Sequence, residues 1–375
     1  MVKLGEIGTF IRGGGFLKRD YVDIGFPCIH YGQIHTKLGF VTNQHLTMIP
    51  ETLVAKSKIA SKNDVIIAIT SEDVEGSCKS TAWMGDYDIA VGAHAAIFKH
   101  NQNPIYISYY LHSPFFNKSK TKYAHGFKVI EIKPSDIAKI EIPLPPLEEQ
   151  HRIVSILDAS FEKIDALKKN AEENLKNAKA LFQQVLAQEL KPKEGWVEKK
   201  LTDISENLDY KRVPITKNVR KSGKFPYYGA SGIVDYVNDY LYDEDLLLIS
   251  EDGANLLART TPIAFSVSGK IWVNNHAHVL KFNNLTLQKF VEYFIAGFNI
   301  APYVTGMAQP KLNQKALEKI IISFPANIEQ QHRIVRTLDT LSEKCRRLEQ
   351  VAQQTIRECD ALKQSILRQA FSGEL

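Results

Sequence analysis

The eleven residues from Glu148 to Asp158 (E-E-Q-H-R-I-V-S-I-L-D) return, little changed, as Glu329 to Asp339 (E-Q-Q-H-R-I-V-R-T-L-D), 181 residues further on. Self-similarity at a fixed distance constrains a fold strongly, because it says that one unit has been built twice. Aligned without gaps, 147–190 and 328–371 are identical at 17 of 44 positions. Upstream the agreement is sparser. Pro145 answers Pro325, Phe26-Pro27 answers Phe225-Pro226, and Tyr31-Gly32 answers Tyr228-Gly229. The run from Asp64 (D-V-I-I-A-I-T-S-E-D) answers that from Asp245 (D-L-L-L-I-S-E-D), and His94 answers His276. The plan is globule, long helix, globule, long helix. The helices are near copies, and the globules share a skeleton under different side chains.

Positions 153, 157, 160, 164, 167, 171, 174, 178, 181 and 185 read Ile, Leu, Ser, Ile, Leu, Ala, Asn, Ala, Leu, Val. The same steps from 334 to 366 read Ile, Leu, Leu, Cys, Leu, Ala, Thr, Cys, Leu, Ile. Alternating steps of four and three form the seam of a coiled coil. The expected packing residues are Ile153, Leu157, Ile164, Leu167 and Leu181 on one helix, and Ile334, Leu338, Leu341, Leu348, Leu362 and Ile366 on the other. Neither stretch meets Gly or Pro before Pro192 and Gly195, or Gly373. A helix of this length, about 65 Å, cannot bury its stripe alone. The two are therefore expected to pair, and an antiparallel pairing places one globule at each end. The small and polar seam residues Ala171, Asn174, Ala178, Ala352 and Thr355 leave a loose middle that suits further helices from a partner.

The 375 residues give room for two or three domains with cores of their own. No window approaches the roughly 18 apolar residues of a membrane span. The segment Met1–Glu6 lacks the apolar core of a signal peptide, so the cytoplasm is the expected location and no membrane is expected. Cys28, Cys78, Cys345 and Cys359 have no C-x-x-C spacing and read as buried free thiols. The net charge of +5 lies mostly in the globules, with 16 basic against 13 acidic side chains over 1–146 and 17 against 14 over 191–326. That excess agrees with nucleic-acid contact there without demanding it.

Each globule mixes β-rich runs (Val65–Thr70, Leu246–Ser250, Ile271–Val273) with short helical ones (Ile105–Leu111, Leu287–Ile295), which predicts an α+β domain. Glycine recurs beside aromatic residues, at Gly13-Gly-Gly-Phe16, Tyr31-Gly32, Gly126-Phe127 and Tyr228-Gly229, and beside methionine at Gly306-Met307. Such loops suit groove or backbone contact with DNA as well as plain tight turns. Arg12, Lys18, Arg19, Lys128, Lys211, Arg212, Arg259 and Lys311 stand near them, able to neutralise phosphate or fork onto guanine, or to remain ordinary solvated surface. Motifs for catalysis fail. Gly13-Gly-Gly15 is not followed by G-K-[ST]. Asn103-Pro-Ile-Tyr106 lacks the second proline of an amino-methyltransferase motif and reads as a helix start. His276 and His278 lack an evident carboxylate or third ligand, so no metal is expected. The acid pairs Glu72-Asp73 and Glu251-Asp252 recur without a lysine partner in register. On the residues alone, a coiled-coil scaffold without a DNA role stays open, as does the recognition part of a self-contained methyltransferase or nuclease.

The proline-rich leads into the repeated segment (Pro143–Asp158 and, altered, Pro325–Asp339) are similar to those of type I restriction–modification specificity subunits. So is the closing I-L-R-Q-A-F-S-G-E-L (Ile366–Leu375), and so are Tyr228-Gly-Ala-Ser-Gly-Ile-Val-Asp-Tyr236 and Asn275-His-Ala-His-Val-Leu280 in the second globule. The second lead, Phe324-Pro-Ala-Asn-Ile328, departs from the family pattern in lacking the double proline. The resemblance covers essentially the whole chain. It implies an α+β fold of two target recognition domains (1–142 and 192–323) separated by two long helices (143–191 and 324–375). These helices would pair as an antiparallel coiled coil with an internal pseudo-twofold repeat. It further implies that each globule reads one half of a split, asymmetric double-stranded DNA sequence while the helices set the gap. The chain would be non-catalytic and bind no cofactor. Two modification subunits would bind S-adenosylmethionine and methylate adenine, and two ATP- and Mg-dependent restriction subunits would join them for cleavage.

Overall fold

The computed structural model describes residues 1–306 and 308–375, so that Met307 of the expected Gly306-Met307 loop lies outside the described residues. The chain divides into two compact units, 1–171 with 354–375, and 172–353. Each long helix is thus shared between them.

In the first unit the continuous apolar run Val65–Ala68 is buried at every position, as expected of a strand covered on both faces. It lies inside a five-stranded sheet ordered Gly8–Arg12, Ala95–His100, Val65–Ala68, Ser80–Trp83, Val41–Thr42. A four-stranded sheet, ordered Thr47–Ile49, Phe26–Ile29, Ile89–Val91, Lys58–Ala60, accompanies it, with Phe26–Ile29 parallel to Ile89–Val91. The helix Pro104–Leu111 begins where Asn103 accepts hydrogen bonds from the amides of Ile105 (3.0 Å) and Tyr106 (3.1 Å). An asparagine cap followed by a proline at the first helical position is a strong helix start, which accounts for the N-P-I-Y segment.

The second unit repeats this plan. Leu246–Ser250 is again buried throughout, between Ala277–Lys281 and Ala264–Val267. Ser222–Gly229 runs parallel to Lys270–Val273, and Leu285–Gly297 takes the place of Pro104–Leu111. Equivalent hydrogen bonds fix the alignment. The amide of Gly92 donates to Ile29 and that of Asn274 to Tyr228; the amide of Ile69 donates to His94 and that of Glu251 to His276. His94 and His276 therefore correspond, as expected from sequence. Two other pairings are corrected. Tyr228 matches Ile29 and not Tyr31, and Glu251 matches Ile69, so Glu72-Asp73 is not the counterpart of Glu251-Asp252. The globules differ in loop length, and identical short strings slid past one another when compared as text.

The repeated segment forms the joint between globule and helix in each unit. The strand that leads into the helix pairs with the globule's first strand, Glu141–Ile142 with Val2–Lys3 and Ile321–Pro325 with Trp196–Lys200. Buried Gln150 donates from Nε2 to the Pro145 carbonyl (2.8 Å), and buried Gln331 donates to that of Pro325 (2.7 Å). Two turns on, Tyr109 donates to Asp158 (2.5 Å) and Tyr293 to Asp339 (2.6 Å). Burial first, and then the carboxylate bond, raise both tyrosine pKa values well above the ordinary one, so both hydroxyls stay donors. Between these polar ties Ile153, Val154 and Leu157, and likewise Ile334, Val335 and Leu338, enter the domain cores. Each such side chain contributes about 1.5–3 kcal/mol on burial.

The long helices span Leu147–Glu189 and Ile328–Ser372. Within the first unit Asp165 pairs with Lys363 (2.5 Å) and Lys168 with Asp360 (2.7 Å), while Arg152 donates to the Leu375 carbonyl (2.9 Å). Numbers rise on one helix as they fall on the other, so the pairing is antiparallel. In the second unit Leu186, near the end of the first helix, shares a core with Ile334 and Leu338 near the start of the second. The seam departs from the expected one. Leu157, Ile164, Ala171 and Ala178 are buried, as are Leu338, Cys345, Ala352 and Cys359, but Leu167 (56% exposed), Leu181, Leu348 (54%) and Leu362 are not. Leu341 is half-buried, and Ile366 packs at the edge of the first core. The partner of each buried position lies four residues on, at Phe161, Lys168, Leu175 and Phe182, rather than three. Both spacings fit one helical face, and apolar residues occur at both. Leu157→Ala is expected to cost about 2–5 kcal/mol and Leu167→Ala under about 0.5 kcal/mol, as read by denaturant unfolding.

Candidate nucleic-acid interface

One end of each globule is built from the same three pieces: the end of the fully buried strand, the loop before the next strand, and a hairpin. In the first unit the hairpin is closed by reciprocal bonds between His125 and Glu131 (3.1 and 2.8 Å), and the amide of Ile132 ties it to Ile69 (3.0 Å). In the second, Thr305 and Lys311 exchange the same bonds (2.9 and 2.7 Å), and the amide of Leu312 reaches Glu251 (2.7 Å). Both hairpins turn at a glycine with positive φ, Gly126 at 116° and Gly306 at 84°.

In the first unit this end carries a cleft of about 400 Å³ whose lining includes Lys18, Tyr21, His30, Tyr31, Gly32 and His94. Tyr21 stacks on His30 (5.2 Å between ring centres), and Tyr31 tilts against His94 (5.1 Å). Burial, then the nearby charges of Lys18 and Lys37, lower the His30 pKa, which keeps a neutral ring at neutral pH. Arg12 ties cleft to hairpin: its Nε donates to the Ala93 carbonyl (3.3 Å) in the cleft wall, and its Nη1 lies 2.8 Å from Glu131. Exposed Lys128 is on the hairpin, and exposed Arg19 lies beside Lys18 on the turn Lys18–Asp20. The structure thus gathers Arg12, Lys18, Arg19, Tyr31, Gly32 and Lys128 at one end of the domain.

The second unit answers with an ion network. Arg212 places Nη1 2.6 Å from Glu251 and Nη2 3.3 Å from Asp209. Buried His278 meets Asp209 at 2.6 Å through Nδ1 and the Leu312 carbonyl at 2.8 Å through Nε2. Lys311 approaches Glu251 (3.1 Å), and His276 faces Asp252 (2.9 Å). The carboxylates that sequence spacing did not reveal beside His276 and His278 therefore come from elsewhere in the chain. Asp209, Glu251 and His278 stand close enough to ligate a cation, and the Arg212 guanidinium supplies positive charge there. Burial pushes both carboxyl pKa values up, but His278, Arg212 and the other donors outweigh it and hold both below the ordinary value.

Two expected DNA-facing arginines are corrected. Arg212 is nearly buried in this network. Arg259 donates to the carbonyls of Ile295 and Ala296 (both 2.9 Å) and of Phe298, capping the C-terminus of Leu285–Gly297. A cation is favoured at that end of a helix. Lys211 sits against Tyr210 (5.7 Å) beside Arg212. Tyr228 packs its ring toward Phe265, and Gly229 is buried next to Asn274. Of the second set Lys311 is exposed and Lys211 half-buried.

A family model for the type I restriction modification DNA specificity domain matches residues 1–177 and again 193–358. The chain is 24% identical over 411 residues to the type I restriction enzyme StySPI specificity subunit of Salmonella potsdam, across 98% of this chain and 87% of that one. It is 34% identical over 144 residues to a Haemophilus influenzae protein with the description of a type I restriction enzyme specificity subunit, covering 38% and 37% of the two chains. A chain of a solved type I R-M system, described for complex assembly and conformational transition, shares the fold with a TM-score of 0.76 at 19% identity, over 100% of this chain and 97% of that one. No helix among the described residues is long and apolar enough to cross a membrane.

Arg212→Ala removes one cation from Asp209 and Glu251, which keep His278 and Lys311, and is expected to cost about 1–3 kcal/mol. Because both folded pKa values are depressed, the stability they confer is complete above the ordinary carboxylate range, about 4, and is lost as pH falls through the folded values. Unfolding of wild type and variant between pH 7 and 3 should converge toward the acid end.

Proposed function

The chain belongs to the type I restriction–modification DNA specificity family, and from that membership we propose how its parts divide the work. Each globule reads one half of a bipartite, asymmetric duplex site with the end that carries the hairpin, and the paired helices set the spacer. What supports this reading is the twofold construction: the same joint and the same three-piece end, bearing an aromatic–histidine cleft in one copy and an ion network in the other. Equal frames with unequal surfaces suit two half-sites of unrelated sequence. Arg12, Lys18, Arg19 and Lys128 in the first unit, and Lys211 and Lys311 in the second, contribute phosphate contacts or base contacts.

The modification subunits dock on the helices. Leu167, Leu181, Leu348 and Leu362 stand outside the seam in water, and a groove of about 800 Å³ in the second unit runs past Val185, Arg333, Thr337 and Leu341. Exposed leucines in helical register call for a partner's helices. S-adenosylmethionine is held by those two partners, ATP and Mg by two restriction subunits, and the assembly works in the cytoplasm on DNA. The chain itself supplies address and geometry rather than chemistry.

Two outcomes follow. Leu348→Glu should abolish co-elution with the modification subunit while circular dichroism and melting of the chain alone stay unchanged; retained co-elution would remove this surface from the account. Inserting four residues near Asn174 adds about 6 Å of helix, roughly one to two base pairs at 3.4 Å each. Methylome sequencing should then show the same half-sites around a longer gap. Altered half-sites with the old spacer would refute the spacer role.

A further inference from the structure

The hairpin His125–Glu131 presents an aromatic residue at its tip with no use inside the fold. Phe127 is 96% exposed and Val129 59% exposed, and among the described residues Phe127 makes no aromatic contact with the rest of the domain. Single exposed apolar side chains are common, so exposure alone decides nothing. Three further observations give it weight. The first is rigidity: the His125–Glu131 bonds close the loop, Gly126 turns it at φ 116°, and an added Cβ there would strike the Val129 carbonyl. A phenylalanine held outward on a rigid loop loses little freedom when it binds.

The second observation is charge. Lys128 follows directly, is exposed, and makes no ion pair among the described residues, so the tip combines an apolar wedge with a free cation. The third is place. Arg12 joins the hairpin base at Glu131 to the wall of the cleft that holds Lys18, Tyr31 and His94. The tip therefore continues the surface already assigned to DNA.

We propose that Phe127 is a specificity-determining residue of the first globule, inserting its ring into the groove of the duplex against base edges while Lys128 holds the flanking phosphate. Duplex DNA is the favoured occupant because Lys128 adjoins the ring and the tip Gly126–Ile130 carries no acidic residue. Apolar contact from phenylalanine reads a thymine methyl in the groove, and inserted phenylalanine also wedges between base steps. The proposal rests on the reading of the first globule as a DNA-recognition domain.

The test uses the assembled methyltransferase, with its recognition site first defined by methylome sequencing. Phe127→Ala, which leaves no cavity, should weaken binding to the cognate duplex by about tenfold or more, while Phe127→Leu retains most of it. The loss should shrink when the half-site read by the first globule is scrambled and persist when the other half is scrambled. Lys128→Ala should instead lower affinity evenly across sequences and reduce the slope of affinity against salt by about one. Wild-type affinity for Phe127→Ala would overturn the proposal, as would loss of the modification subunit from that variant, which would make the tip a protein contact. If the wild-type assembly itself fails to distinguish cognate from scrambled duplex, the recognition reading fails and not this refinement alone.

Discussion

Asp158 and Asp339 each accept a hydroxyl hydrogen bond from a tyrosine on the globule's own helix, and every other feature of the chain relies on the joint those bonds complete. A long helix that leaves a domain through a flexible linker transmits no orientation. Here the leading strand is paired, a buried glutamine closes on the proline lead, and three apolar side chains sink into the domain core before the tyrosine bond is reached. Removing Asp158 or Asp339 leaves a buried tyrosine hydroxyl without its partner, which costs more than the bond itself contributes. The Gln, Ile, Val, Leu and Asp of the repeated E-x-Q-H-R-I-V-x-x-L-D each fill one slot of the joint, while its Glu and Arg are exposed.

Rigidity at the joint separates the two tasks of the chain. Both helices leave leucines in water at matching positions, Leu167 with Leu348 and Leu181 with Leu362, which suits the proposed docking of equivalent partners. The globule ends are framed by the same backbone bonds and differ in side chains. Where the first domain has Ile69, the second has Glu251, which meets Arg212 and Lys311 beside the Asp209–His278 pair in an ion network. Divergence in recognition is thereby accommodated in the side chains while the backbone ladder holds.

Much of this was legible in the sequence. The repeat, both long helices, the buried strands and the asparagine-started helix were visible because periodicity and capping are local signals. The helix seam was displaced by one position because steps of three and four residues describe the same face, and apolar residues occupy both alternatives. The arginines were harder still. Arg212 and Arg259 look like any surface cation in text, and only the fold brings Glu251 or the end of Leu285–Gly297 against them. The charge of Lys128 is read easily along a chain, whereas the exposure of the Phe127 ring is a three-dimensional fact.

The most direct measurement exchanges one globule. Replacing residues 1–142 with the corresponding domain of another member of the family, and keeping everything from the first proline lead onward, preserves the helices and the second domain. The joint is kept if the incoming domain supplies a tyrosine for Asp158. Methylome sequencing of cells expressing the hybrid with the modification subunit should show one half-site replaced and the other half-site and the spacer unchanged. A change in both halves, or in neither, would contradict the account.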